Sequence, residues 1–300
     1  MRRILAAVTL VFSLASAPVV AGEEFDSPEI LILGDSQIPF GSGPAFLEFF
    51  SNIKEHCGPD ASQARRLEAL GDMRVAVIGV RSTSIHSWTA RSGRAKAAIC
   101  EEDRKWRANA GTYGFINTSG NKYVQIGKGP AYQFCAPQKS AFEHMFRDGY
   151  YDPGLIMLSF LGNSAKRWAQ DPESAVADVE KMMSQLPPDV PCIFMTTAPA
   201  YKPSIVELRL RAQMNLMDAF KKTGARCTFL PGATPETVAA NQGNRDHFRL
   251  NKSGRVKDPY HPNEVAAKTF FSLEMDAICT AIFDQLDPMP TESQSAALVP

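Results

Sequence analysis

Ser36, Asp258 and His261 are the residues whose types and spacing could do chemistry together. Ser36 closes Gly34-Asp35-Ser36, which follows the apolar run Glu29-Ile30-Leu31-Ile32-Leu33. A short apolar run ended by a turn signal reads as a buried strand. Ser36 then sits on the turn at the carboxyl edge of a sheet, where open α/β folds hold their ligands. A serine hydroxyl is a weak nucleophile near pH 7 and needs a base. Asp258-Pro259-Tyr260-His261 offers one near the other end of the chain. Its imidazole can take the serine proton, and its carboxylate can hold the ring in the right tautomer. Each residue alone has a plainer reading. A serine before a helix is commonly its cap. An aspartate before proline is common in turns.

Two more blocks lie between them. Arg74-Val75-Ala76-Val77-Ile78 reads as a strand and runs into Gly79-Val80-Arg81-Ser82-Thr83-Ser84. Leu155-Ile156-Met157-Leu158-Ser159-Phe160-Leu161 reads as another and runs into Gly162-Asn163. In this order the four blocks resemble the SGNH (GDSL) hydrolase family of esterases, lipases and acyl-carbohydrate deacylases, over residues 29–282. The resemblance implies Ser36 as nucleophile, His261 as general base and Asp258 as its orienter. It implies an oxyanion hole from the backbone N–H of Ser36, the N–H of Ser82 or Gly79, and the side-chain amide of Asn163. Asn163 follows Gly162 directly, so the family's Gly-x-Asn block is shortened here. Asp35 is expected to anchor backbone. No metal and no organic cofactor is implied. His86 follows the second-strand turn and is a candidate for lining the substrate cleft.

The implied fold is α/β, a flavodoxin-like three-layer sandwich. Its central parallel sheet has about five strands in the order 2-1-3-4-5, with an inserted cap segment. The residues agree with such a sheet, since short runs rich in Ile, Val, Leu, Met and Phe alternate with helical stretches. Strands are expected at 29–33, 73–78, 154–161, 191–197 and 226–230, and helices at 44–55, 90–108, 172–186, 203–223 and 263–283. Asp171-Pro172-Glu173 starts one helix and Gly224 ends another. Residues 100–152 break the rhythm and form the insertion, rich in aromatics, with glycines that suit a small β-hairpin. Those aromatics are expected to build either the insertion's own core or a platform for substrate.

Arg2, Arg3, the apolar stretch that follows and Val19-Val20-Ala21 read as a cleavable signal peptide over residues 1–21. The hydrolase domain then spans 22–287, and 288–300 is a Pro-, Ser- and Ala-rich tail expected to be disordered. This predicts a periplasmic or secreted protein. Basic and acidic residues balance at 32 each, and loss of the leader leaves about −2. That excludes the strongly basic class of nucleic-acid binders. Six cysteines in an exported chain suggest disulfides, with no Cys-x-x-Cys pair to suggest zinc. Six cysteines allow fifteen pairings; the inferred fold favours Cys192 with Cys227, Cys57 with Cys279, and Cys100 with Cys135 stapling the insertion, and buried free thiols are the plainer alternative.

The expectation is an exported serine esterase acting on O-acetyl esters of envelope carbohydrate, by hydrolysis or by transfer. A lipid ester is the next substrate. The other class is a non-catalytic carbohydrate-binding protein on the same fold, which would be expected to lack Ser36 or His261. The expected partner is an acylated carbohydrate or other small ester, with no nucleic acid and no membrane insertion.

Overall fold

Five apolar runs pair in parallel at the heart of a single sheet: β1 (Ile30–Gly34), β2 (Val75–Gly79), β5 (Leu155–Ser159), β6 (Cys192–Met195) and β7 (Thr228–Leu230). The computed structural model describes residues 27–58, 61–70, 74–80, 82–91, 113–116, 124–125, 138–147 and 151–286. The parallel order is β2-β1-β5-β6-β7, which is 2-1-3-4-5 when only these strands are counted. Two antiparallel strands, β3 (Tyr113–Ile116) and β4 (Val124–Gln125), extend the sheet beyond β2. They are the hairpin that the glycines of the insertion suggested. The edge of β2 thus carries seven-stranded continuity instead of open hydrogen-bonding groups.

Alternate residues of each strand feed opposite faces. Ile30, Ile32, Val77 and Met157 pack under α1 (Gly43–Ser51), α2 (Ile53–Cys57) and α9 (Glu264–Leu286). Leu31, Leu33, Ile78 and Leu158 pack under α4 (Ile85–Thr89), α5 (Ala165–Gln170), α6 (Pro172–Met183) and α7 (Pro203–Thr223). Strands buried on both faces need this near-continuous apolar composition. Two shorter helices, α3 (Ala61–Leu67) and α8 (Pro235–Asn241), complete the set used below.

Local chemistry explains where the helices depart from expectation. The helix expected at 44–55 breaks at Asn52, whose φ/ψ is −110/25. The Asn52 side-chain amide donates to Glu48 O at 2.8 Å, competing with the helix ladder. The helix expected at 90–108 lies outside the described residues beyond Arg91. Ala90 is already extended and ends α4. Gly224 takes the left-handed conformation at φ 62 and stops α7 where expected.

Disulfides join Cys57 to Cys279 and Cys192 to Cys227. The first ties α2 to α9 and the second ties the starts of β6 and β7, each a cross-link of the kind that commonly adds about 2–4 kcal/mol. Cys100, Cys135, the expected leader and the expected tail lie outside the described residues. Among the described residues no helix is long and apolar enough to cross a membrane.

The aromatics Phe142, Phe146 and Tyr151, expected in a core or platform of the insertion, are instead buried in the domain's main core. Phe142 lies 5.7 Å from Trp88, ring centroid to centroid. An apolar cluster beside an apolar sheet face gains more by joining that face than by forming a small core of its own.

Candidate active site

The register of the three central strands builds the floor of the site. Gly34 pairs with Gly79 on one side and with Ser159 on the other, so the strands end level. The turns after them therefore emerge side by side and bring together Ser36, Ser82 and Asn163 from separate parts of the chain. Gly79 is required at its position, since a Cβ there would lie 2.3 Å from Ile38 Cβ.

Asp35 organises this edge. Its carboxylate accepts from the backbone N–H of Gln37 at 2.9 Å, of Leu161 at 3.3 Å and of Gly162 at 3.0 Å. The turn that presents Ser36 is thus tied directly to the loop that presents Asn163. The Asn163 amide in turn donates to Thr83 O at 2.7 Å, which fixes the loop holding Ser82. Ser82 has φ 61, a left-handed conformation uncommon for a residue with a side chain. Burial pushes the Asp35 carboxyl above its ordinary range. The N–H groups of Gln37 and Leu161 and the charges of Arg209 and His261 partly offset that. Arg209, from α7, is almost wholly buried beneath the site. Its charge acts on Asp35 and Asp258, and burial lowers its pKa without removing the charge of a guanidinium.

His261 comes from the far end of the chain. Its Nε2 lies 2.9 Å from Ser36 Oγ, and its Nδ1 lies 2.9 Å from Asp258 Oδ2. Asp258 Oδ1 also accepts from the backbone N–H of Tyr260 at 3.1 Å and of His261 at 3.3 Å. Burial alone would raise the Asp258 carboxyl, but the hydrogen bond and charge of His261, with these N–H groups, hold it below its ordinary range. Ser36 is only 7% exposed.

Three contacts dock the histidine segment on the serine turn. Gln37 Nε2 donates to Tyr260 O at 3.1 Å. Phe40 sets its ring 4.4 Å from the imidazole, centroid to centroid. Gly41 allows the close approach, since a Cβ there would fall 2.5 Å from Pro262 O. A relay of hydroxyl, imidazole and carboxylate can activate the hydroxyl as a nucleophile.

Against known proteins, no protein-family model matches the chain, and no curated protein matches it. Solved structures do. A DUF4886 family protein from Bacteroides uniformis aligns at 12% identity over 88% of each chain, with a TM-score of 0.41. A salicylyl-acyltransferase from a tetracycline biosynthetic pathway aligns at 13% identity over 85% of this chain and 56% of its own, with a TM-score of 0.39. Likenesses this distant say nothing of what the chain acts on.

Of the residues singled out in the sequence, Ser36, Asp258 and His261 meet in one hydrogen-bonded chain, and Ser82 and Asn163 share the adjoining loops. His86 is exposed on α4, where its charge acts on Asp178 of α6. Gln37, Phe40, Gly41, Thr83 and Arg209 went unmarked. Gln37 to Gly41 directly follow Ser36, so their proximity was a usable signal. Arg209 lies mid-helix on the buried stripe of α7, where a cation is out of pattern, and that misfit was the only sign.

Proposed function

We propose that this chain is an exported serine esterase of the SGNH type that hydrolyses, or transfers, O-acyl groups of envelope carbohydrate, O-acetyl esters foremost. The observation that carries the reading is the unbroken relay from Ser36 Oγ through His261 to Asp258 at the sheet's carboxyl edge. The expected leader and the two disulfides support export.

In this reading Ser36 Oγ attacks the ester carbonyl while His261 Nε2 takes its proton. The imidazolium stays paired with the Asp258 carboxylate and returns the proton to the departing sugar hydroxyl. Water, or a second sugar hydroxyl, then attacks the acyl-serine by the reverse path. The Ser36 N–H, the Ser82 N–H and the Asn163 amide are the assigned oxyanion donors. Ser82 is preferred to Gly79 because it lies on the loop that Asn163 holds, whereas Gly79 ends β2 and packs on Ile38. One Asn163 N–H is used on Thr83 O, and the second has no partner among the described residues. Loss of such a donor commonly costs about 3–4 kcal/mol of transition-state stabilisation.

The test is acetate release from O-acetylated envelope polysaccharide by the wild-type protein, with Ser36→Ala as control. Release that Ser36→Ala abolishes is expected. Binding without release by the wild-type protein would identify a carbohydrate-binding protein instead.

A further inference from the structure

The segment that carries His261 is a charged hairpin. Between residues 245 and 258 it holds Arg245, Arg249, Lys252, Arg255 and Lys257 against Asp246 and Asp258. The chain as a whole is balanced, so this excess of cations is local.

Backbone pairing settles which side chains share a face. Leu250 bridges Val256 in antiparallel fashion. Lys257 N donates to Arg249 O at 2.8 Å, and Asn251 N donates to Arg255 O at 2.8 Å. Residues two apart and residues directly opposite lie on the same face of such a ribbon. Arg249, Arg255 and Lys257 therefore stand together, with the half-buried Leu250 and Val256 on the other face. All three cations are exposed. Arg249 continues the row into the site: its guanidinium lies 5.9 Å from the Phe40 ring centroid and 3.7 Å from Asp258 Oδ2.

Like charges directly opposite one another destabilise a strand pair. Arg249 and Lys257 stand directly opposite one another, whereas Arg255 faces Asn251; neither Arg255 nor Lys257 has a carboxylate partner among the described residues. Two cations without a carboxylate partner, continued toward Ser36 by Arg249, form a surface suited to an anion.

We propose that this face is a subsite for an anionic polysaccharide, whose charged repeats lie along Arg255, Lys257 and Arg249 while an O-acyl group on the same chain reaches Ser36. The choice of polysaccharide over nucleic acid rests on the esterase reading above, because that chemistry needs acylated hydroxyls. The overall charge balance also disfavours a nucleic-acid binder.

Binding and turnover are measured separately so that this proposal and the esterase reading can fail independently. Retardation of the full chain in affinity gels is compared for polygalacturonate, dextran and single-stranded DNA at low and at physiological salt. Polygalacturonate is expected to bind at least about tenfold tighter than dextran, with the advantage shrinking as salt screens the row. The double variant Arg255→Glu/Lys257→Glu should lose that advantage, Arg255→Gln/Lys257→Gln should lose part of it, and Lys257→Arg should keep it. In turnover, the ratio of kcat/KM on O-acetylated polygalacturonate to that on O-acetylated dextran should fall by about tenfold in the charge-reversed variant, through KM. Equal binding of the two polymers, a preference that survives charge reversal in a protein of unchanged melting temperature, or tighter binding of DNA would each overturn the proposal. Absence of turnover on every ester with the polyanion preference intact would overturn the esterase reading and leave the subsite standing.

Discussion

Ser36 and His261 lie within hydrogen-bonding distance, yet they come from regions built on different terms. The serine turn grows out of β1, whose Ile30 to Leu33 are wholly buried, and Asp35 behind it is 1% exposed. It is held by strand register on both sides and by a carboxylate that collects three backbone N–H groups. The histidine segment has two isolated bridges, exposed cations and Tyr260 at 51% exposure. It is held by Asp258 on its own backbone, by Gln37 on Tyr260 O, and by Tyr201 N donating to Pro259 O at 2.9 Å. Ser36 is thus fixed by the sheet, and His261 by a smaller set of contacts on a more exposed segment. Regions with few buried contacts open locally without global unfolding. Changes on the serine side should therefore cost stability, while changes on the histidine side should cost rate at nearly constant stability.

The largest expected effect lies where the regions meet. Ser36→Ala and His261→Ala should each lower kcat on a small neutral aryl ester by about 10⁴-fold or more, and the double variant should be hardly worse than either. Additive losses in steady-state assays would show that the two residues do not act as a unit.

Asp35→Ala comes next and probes the serine side. It leaves three N–H groups without their acceptor, at about 1–3 kcal/mol each. The melting temperature should drop by at least about 6 °C. An unchanged melting curve would remove Asp35 as the link between the two loops.

Gly41→Ala probes the seam. The added Cβ must push Pro262 away, and a displacement approaching 1 Å can cost about 10²-fold in rate. Activity should fall far more than the melting temperature; equal loss of both would merge the two regions into one.

The smallest effect is on pH. The Asp258 carboxyl is held below its ordinary value of 3.8 in the folded chain, so its stabilisation is present above that value and fades as acid protonates it. Asp35, raised by burial, contributes with the opposite sign. Melting curves between pH 6 and pH 3 should show a smaller acid-side loss in Asp258→Asn than in the wild-type protein.

The same contrast governs what could be read from residues alone. The buried strands and the level carboxyl edge follow from apolar runs of strand length, because burial on both faces leaves little choice of composition. The paired cysteines at Cys192 and Cys227 follow once those strands are neighbours. Helix α8 was missed although Thr234-Pro235-Glu236-Thr237 carries a reciprocal cap, with Thr237 N donating to Thr234 Oγ1 at 3.3 Å and Thr234 N to Thr237 Oγ1 at 2.9 Å. Phe142, Phe146 and Tyr151 lie in a different layer from the one expected, because apolarity shows that a side chain is buried, and not against what. Arg209 and the docking role of Gly41 depend on contacts between segments far apart in the chain, which no local pattern records.

The central claim is that Ser36 is a nucleophile activated by the relay. The most direct measurement is covalent labelling of the wild-type protein with a fluorophosphonate, followed by peptide mass spectrometry. One adduct on the peptide containing Ser36, absent in Ser36→Ala and strongly slowed in His261→Ala, is the predicted result. No adduct, or labelling of another serine at equal rate in all three proteins, would contradict the account.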